Sequence, residues 1–159
     1  AISIFSISTL ALLSVLAQGI THTNLIKQKV IASYLAEEGI EYVRNIRDTT
    51  MLSKTGTDQE HWSKFRDDIV LASCSSGCHF VVSGDGNLSQ CTDPDACLTL
   101  KYNENTGEYD YDISGGYRRK ITAIAVTNDE IEIKSSVSWT QGSGVQSVEF
   151  TEHLFNWIE

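Results

Sequence analysis

The first 26 residues of the chain carry no charged side chain and are apolar all round rather than on one face. A helix of this length, at 1.5 Å per residue, spans the roughly 30 Å core of a bilayer. Small serines and threonines in it let helices approach each other closely. We call residues 1–26 the apolar segment and predict a membrane-spanning or filament-core helix. Its main apolar residues are Ile2, Ile4, Phe5, Ile7, Leu10, Leu12, Leu13, Val15 and Leu16.

A cleaved signal peptide and an ordinary single-pass anchor are alternative interpretations of the apolar segment. Ala17 would fit a cleavage point, and signal peptides also have apolar cores. No basic region or initiator Met precedes the segment in this sequence. We therefore expect the segment to be retained in the mature chain.

From Asn24 to Arg47 the pattern becomes amphipathic, without a Pro to end the helix. Residues at spacings of three and four, which are typical of one face of a helix, are Leu25, Gln28, Ala32, Leu35, Gly39, Tyr42, Val43 and Ile46. The helix is therefore expected to continue outward as one spine to Arg47. Gly19 lies beside β-branched residues, so any bend or unwinding is expected there.

The rest of the chain predicts a short helix followed by strands. Asp58–Ala72 is an amphipathic helix with Asp58 as its cap, and its inward side chains are Trp62, Phe65, Ile69 and Val70. A short strand over 79–83 precedes a turn at 85–87. Strands at 98–102 and 108–112 flank a five-residue hairpin loop. Histidine 61 is expected on the surface of the short helix.

A longer meander ends the chain. The predicted strands are 117–127 and 130–139, followed after a Gly-rich turn by a last strand and tail containing Val148, Phe150, Leu154, Phe155 and Trp157. The strand 130–139 alternates, with Ile131, Ile133, Val137 and Trp139 on its apolar face. The amphipathic half of the spine is the surface available to cover such a sheet. The sequence thus predicts an α+β fold, with residues 1–26 as one domain and 27–159, including the amphipathic helix 27–47, as a globular domain.

The charge of the chain excludes some functions. Twelve basic and 21 acidic residues give a formal charge of −9, which opposes binding to phosphate backbones, so no dedicated nucleic-acid site is expected. The basic triplet Arg118, Arg119 and Lys120 is expected to be exposed or to pair with acidic residues of a neighbouring subunit.

Four cysteines, Cys74, Cys78, Cys91 and Cys97, lie close together and predict disulfides formed in an oxidising compartment. Three pairings are open. Of these, the nested pairing of Cys74 with Cys97 and Cys78 with Cys91 is preferred, because longer loops constrain the unfolded chain more. Zinc binding by the cysteines with His79 is the alternative, although the spacings within the two cysteine pairs do not both match those usual in zinc sites.

Metal and catalytic motifs are weak in this sequence. A solvated acidic surface is favoured over a calcium site for the carboxylates of Asp85, Asp93, Asp95, Glu108, Asp110 and Asp112. The four histidines are scattered, and no nucleophile-elbow, phosphate-loop or HExxH motif occurs. We expect a protein that is not an enzyme and holds no cofactor or metal.

Two strings resemble a known family. The string ASYLAEEGIEYVRNIRD, residues 32–48, together with the apolar segment before it, resembles the N-terminal helix of type IV pilins and minor pilins, and HLFNWIE, residues 153–159, is similar to their C-terminal ending. The family's processing motif, a Gly before a methylated Phe with a Glu shortly after, does not occur here. No residue of this chain therefore inherits the role of that Glu.

The resemblance implies a structural subunit of an extracellular type IV pilus-like filament, acting in adhesion, motility or DNA uptake. Its partners would be copies of itself or other pilins, and the unassembled subunit would reside in the inner membrane. A type II secretion pseudopilin shares the same plan. The alternative from another class is a membrane-anchored extracellular binding module that never polymerises.

Overall fold

The computed structural model of the chain describes residues 2–53, 56–80, 88–92 and 97–156. Helix α1 (Ile2–Met51) comes first, followed by α2 (Asp58–Ser63), a π-helical stretch (Lys64–Leu71) and α3 (Ala72–Cys74). The strands are β1 (Cys78–Phe80), β2 (Leu88–Gln90), β3 (Thr99–Asn103), β4 (Glu108–Asp112), β5 (Tyr117–Thr127), β6 (Glu130–Gln141) and β7 (Gly144–Phe155). The chain forms two compact units, residues 1–31 and residues 32–159; we call the second the head.

Helix α1 continues through Gly19, the residue at which any unwinding was expected, without a break. The Thr23 hydroxyl donates a hydrogen bond to the Gly19 carbonyl at 2.9 Å, which adds a second partner to the helical ladder at this point. The helix also passes its predicted end at Arg47 and stops at Met51. Ile46 and Met51 pack against the head core, so tertiary contact extends the last turn.

The seven strands form one antiparallel sheet. Strand β5 pairs with β6 along its length, and β6 pairs with β7 through a hairpin with a two-residue turn. On the other side of β5 lie β1 and β3, which pair with β2 and β4 respectively. The predicted strand 117–127 is confirmed with its bounds, and β6 extends two residues beyond its predicted end.

The first hairpin and the short strand are shifted from their predicted bounds. The hairpin strands are Thr99–Asn103 and Glu108–Asp112, so the loop has four residues rather than five. Strand β1 begins at Cys78 and is described to Phe80. The rest of the predicted strand 79–83, the turn at 85–87 and Trp157 lie outside the described residues.

The core of the head lies between the sheet and the outer half of α1. Ile131, Ile133, Val137 and Trp139 are buried on one face of β6, as the alternation predicts. From α1, the buried apolar side chains are Ala32, Leu35, Ala36, Ile40 and Val43. The predicted face is confirmed at Ala32, Leu35, Gly39 and Val43, whereas Leu25 is exposed and Tyr42 only half-buried. The α+β fold, a long N-terminal helix with an antiparallel sheet, is confirmed.

The short helical region differs from its prediction at both ends and at His61. Its N-cap is Thr57, not Asp58, because the Thr57 hydroxyl and Glu60 form a reciprocal capping box. His61 is buried rather than on the surface, and Ser53 hydrogen-bonds its Nδ1 at 2.8 Å. Trp62, Phe65 and Val70 are buried as predicted, and the Ile69 side chain lies outside the described residues.

Candidate functional site

The apolar segment exposes its large side chains to solvent within this chain. From Ile2 to Leu16 the described members of the predicted set, which are Ile2, Phe5, Ile7, Leu10, Leu12, Leu13, Val15 and Leu16, are 62% to 84% exposed. The Ile4 side chain lies outside the described residues. A patch of this extent is rare on a soluble monomer. The segment therefore requires an apolar environment supplied by lipid or by other polypeptides.

Hydroxyl groups in the apolar segment bond to their own helix. Ser6 donates to the carbonyl of Ile2 at 3.0 Å, and Thr9 donates to the carbonyl of Phe5 at 2.9 Å. A hydroxyl moved into an apolar medium without a partner costs several kcal/mol. These internal bonds remove much of that cost, so the two hydroxyls are compatible with lipid and with a helix bundle.

Among the described residues, α1 is the one helix long and apolar enough to cross a membrane. None of its most apolar 18-residue window is buried, which distinguishes it from the core helix of a soluble domain. The length and composition of α1 thus agree with the predicted membrane-type segment.

A buried arginine joins α1 to the sheet of the head. The Arg119 side chain, on β5, has no exposed surface. Its Nη1 donates to the Leu35 carbonyl at 3.0 Å and to the Glu38 carboxylate, and its Nε and Nη2 donate to the Tyr111 hydroxyl. The prediction that the basic triplet is exposed or pairs with another subunit is therefore wrong for Arg119, whose acidic partner lies on α1 of the same chain.

Aromatic rings complete the surroundings of Arg119. The guanidinium carbon lies 4.1 Å from the centre of the Phe80 ring, a cation–π distance. The Tyr42 ring stacks on the Phe80 ring, with 3.7 Å between the two centroids. Burial raises the pKa of the Tyr111 hydroxyl. We call Glu38, Tyr42, Phe80, Tyr111 and Arg119 the arginine cluster, and it fixes the outer half of α1 on the sheet.

His79 lies beside the arginine cluster. Its ring is 5.3 Å from that of Tyr111, and its Nδ1 is 3.8 Å from Cys91 Sγ. Burial, together with the positive charge of Arg119, lowers the pKa of His79 below its usual range. The ring of His79 contacts Tyr111 and the sulfur of Cys91, a cysteine that is held in a disulfide and offers no thiolate.

The four cysteines form two local disulfides, Cys74–Cys78 and Cys91–Cys97. The predicted disulfides are confirmed, but the nested pairing is wrong. Loop length alone favoured the nested pairing, whereas the fold places each cysteine next to its neighbour in sequence, with Cα atoms 4.6 Å and 4.8 Å apart. The zinc alternative is also wrong, since no thiolate remains to bind a metal.

The carboxylates of β4 have partners within the head. Asn103 donates to Asp110 at 2.9 Å, and the backbone N–H of Ser114 donates to Asp112. The second bond lowers the pKa of Asp112. Within the described ranges no three His, Cys, Asp or Glu side chains converge to hold a metal ion; Asp85, Asp93 and Asp95 lie outside those ranges.

A scan against protein-family models, a search of curated proteins and a search of solved structures each found no match to this chain. The candidate site therefore stands on its own geometry. The apolar segment was visible in the sequence as an uncharged run. The arginine cluster was not, because its members come from α1, β1, β4 and β5 and share no local pattern.

Proposed function

We propose that this chain is a structural subunit of a type IV pilin-like extracellular filament. The observation that supports this proposal is the apolar segment, an uncharged helical stretch whose large side chains are exposed on this chain. The long N-terminal helix and the antiparallel sheet are compatible with a pilin-like fold, and two local disulfides suit a head outside the cell.

In this proposal the apolar segment has two successive environments. It first holds the subunit in the inner membrane, with the head outside. On assembly it leaves the lipid and packs against the same segment of neighbouring subunits. Burial of apolar surface, at about 25 cal/mol per Å² relative to water, supplies the cohesion of the bundle. Adhesion, motility, DNA uptake or a pseudopilin role in secretion are all served by this plan.

The test separates a filament subunit from a membrane-anchored binding module. We expect Leu10→Asp to abolish fibres in sheared surface material, because a carboxylate inside the bundle would be buried without a partner. The same variant should still fractionate with the membrane, since one central Asp costs about 3 kcal/mol of insertion free energy and the remaining apolar residues compensate for it. Electron microscopy of the sheared material detects the fibres, and membrane fractionation measures the association with the membrane.

Ile113→Asp is the matched control, because Ile113 is an exposed aliphatic residue of the head, at 92% exposure. It should leave both fibres and membrane fractionation unchanged. Fibres that persist in Leu10→Asp would contradict the proposal. Absence of fibres in the unmodified chain, with stable membrane association, would favour the anchored binding module.

A further inference from the structure

The last strand of the head lies at an edge of the sheet in the part of the chain that the structure describes. Strand β7 is 12 residues long and pairs with β6 along its length without a register shift. Of the strands in the described part of the chain, only β6 pairs with it. A free edge presents unpaired backbone N–H and C=O groups to any other extended segment.

The direction of these backbone groups follows from one hydrogen bond. The N–H of Asn156 donates to the carbonyl of Asp129 at 2.9 Å, just beyond the paired strands. In an antiparallel ladder, alternate pairs are hydrogen-bonded. The even-numbered residues of β7 therefore bond to β6, and the odd-numbered ones, from Val145 to Phe155, direct their N–H and C=O groups outward.

Strand β7 has few of the features that protect an edge. Its sequence, GVQSVEFTEHLF, contains no Pro and no Lys, and its ladder has no bulge. Its acidic residues are Glu149 and Glu152. The edge is thus long and regular, and it carries negative charge.

A groove of about 240 Å³ lies between β7 and the outer half of α1. Apolar surface comes from Ile40 on the helix and from Phe150 on the strand, which is 41% exposed. The charged side chains in its lining are Glu37, Glu41, Glu152 and Arg44. Arg44 pairs with Glu41 and Glu152, so three carboxylates face one guanidinium and the groove is negative.

We propose that the β7 edge binds an extended segment of another polypeptide by strand addition, with the groove receiving the side chains on one face of that segment. Alternate side chains of the bound segment share one face. The face of that segment directed toward α1 carries an apolar side chain with a basic side chain on either side. The apolar side chain contacts Phe150 and Ile40, and the basic ones face the carboxylates. This mode of recognition uses backbone bonds for affinity and pockets for specificity.

A second copy of the same edge fits this surface less well than a basic partner. Its own β7 brings Glu149 and Glu152 toward an already negative groove, and the chain has a net charge of −9. Like charges brought together across an interface cost affinity. The partner is therefore a basic, extended segment, and the proposal does not depend on filament assembly.

The test is a binding titration with the full-length chain in detergent. The probe is a fluorescein-labelled peptide, Thr-Lys-Thr-Leu-Thr-Lys-Thr, which alternates Lys, Leu and Lys on one face and Thr on the other. We expect saturable binding with a Kd below about 1 mM. The same peptide with Glu in place of Lys should bind at least tenfold more weakly, and so should one N-methylated at alternate amides so that the edge bonds are lost.

Two substitutions on β7 locate the site. Thr151→Pro removes an outward N–H and should weaken probe binding about tenfold, because proline cannot donate to an added strand. Thr151→Val keeps the N–H and should bind within about twofold of the unmodified chain. Glu37→Gln should weaken binding of the Lys peptide and make that binding less dependent on salt, because one of the charges that salt screens has been removed.

Circular dichroism checks whether Thr151→Pro is folded. The N-methylated peptide tests the same backbone bonds without altering the protein. Unchanged binding of the N-methylated peptide would overturn strand addition. So would the absence of saturable binding, or equal affinity for the Lys and Glu probes. None of these outcomes bears on fibre formation, which Leu10→Asp tests separately.

Discussion

At the residue scale, Arg119 determines how the outer half of α1 meets the sheet. A buried charge is tolerated when its hydrogen-bonding groups are satisfied. The Glu38 carboxylate, the Leu35 carbonyl and the Tyr111 hydroxyl all accept from the guanidinium. A lysine at this position could not reproduce the planar arrangement of donors or the stacking on Phe80.

Arg119→Lys should therefore lower the free energy of unfolding of the head by about 2 kcal/mol. Urea denaturation followed by tryptophan fluorescence measures it, since Trp62 and Trp139 are in the core. The neighbouring Arg118→Lys is the matched control, because Arg118 is exposed, and it should change stability by less than about 0.5 kcal/mol. Equal effects of the two substitutions would show that Arg119 contributes only its charge.

At the scale of elements, α1 approaches the sheet closely at Gly39. A Cβ added there would lie 2.4 Å from Ser135 Oγ and 3.2 Å from Arg119 Cδ. The Ser135 hydroxyl is buried without a hydrogen-bond partner in the described part of the head. Helix and strand therefore meet at a glycine because no larger residue fits between them.

Gly39→Ala should lower the free energy of unfolding by about 1–3 kcal/mol through overpacking, despite the better helix propensity of Ala. Adding Ser135→Ala should recover much of the loss, because it removes the nearest atom. A double-mutant cycle measures this coupling. Gly116→Ala is the control, because no atom lies close to a Cβ added at that glycine. If the stability changes of Gly39→Ala and Ser135→Ala simply added in the double variant, the steric explanation would fail.

The disulfides act locally on elements that flank the sheet. Each closes a short loop, with sequence separations of 4 and 6. Short loops constrain the unfolded chain less than the nested pairing would, at about 2 kcal/mol each in the chain-entropy model.

Non-reducing chymotryptic digestion of the denatured chain tests the pairing. Cleavage after Phe80 falls between Cys78 and Cys91, so local disulfides should release two separate peptides, each with one internal bridge. Mass spectrometry before and after reduction identifies them. A single species joined across Phe80 before reduction would contradict the local pairing and would fit either of the other two pairings, nested or crossed.

At the scale of the whole molecule, charge and apolar surface are separated along the chain. Residues 1–26 carry no charge, so the net charge of −9 belongs entirely to residues 27–159. In the proposed filament, apolar segments attract while acidic globular regions repel one another. Salt should shift this balance, because screening shortens the range of the repulsion.

Raising the ionic strength from about 0.01 M to 0.15 M shortens the Debye length from about 30 Å to 8 Å. The critical concentration for fibre formation, measured by sedimentation after dilution from detergent, should therefore fall. Leu10→Asp should form no fibres at either ionic strength. A critical concentration that rises with salt would instead indicate that ion pairs between subunits dominate assembly.

The sequence by itself determined the features that depend on local pattern. An uncharged run fixes the apolar character of residues 1–26, and strict alternation fixes which face of β6 is buried. Strand β5 was predicted with its bounds because both of its ends carry turn residues. The tertiary fold had to decide the helix end at Met51 and the burial of His61, since both depend on contacts made with distant segments.

Only the tertiary structure decided which distant residues meet. Arg119 looks like part of an exposed basic triplet in sequence, and it is buried because two distant elements, α1 with Leu35 and Glu38 and β4 with Tyr111, bring hydrogen-bond acceptors around it. The disulfide pairing likewise follows from Cα distances that the fold sets, not from loop entropy. Local patterns report the environment that a side chain prefers, whereas pairings between elements depend on a packing geometry that no local pattern contains.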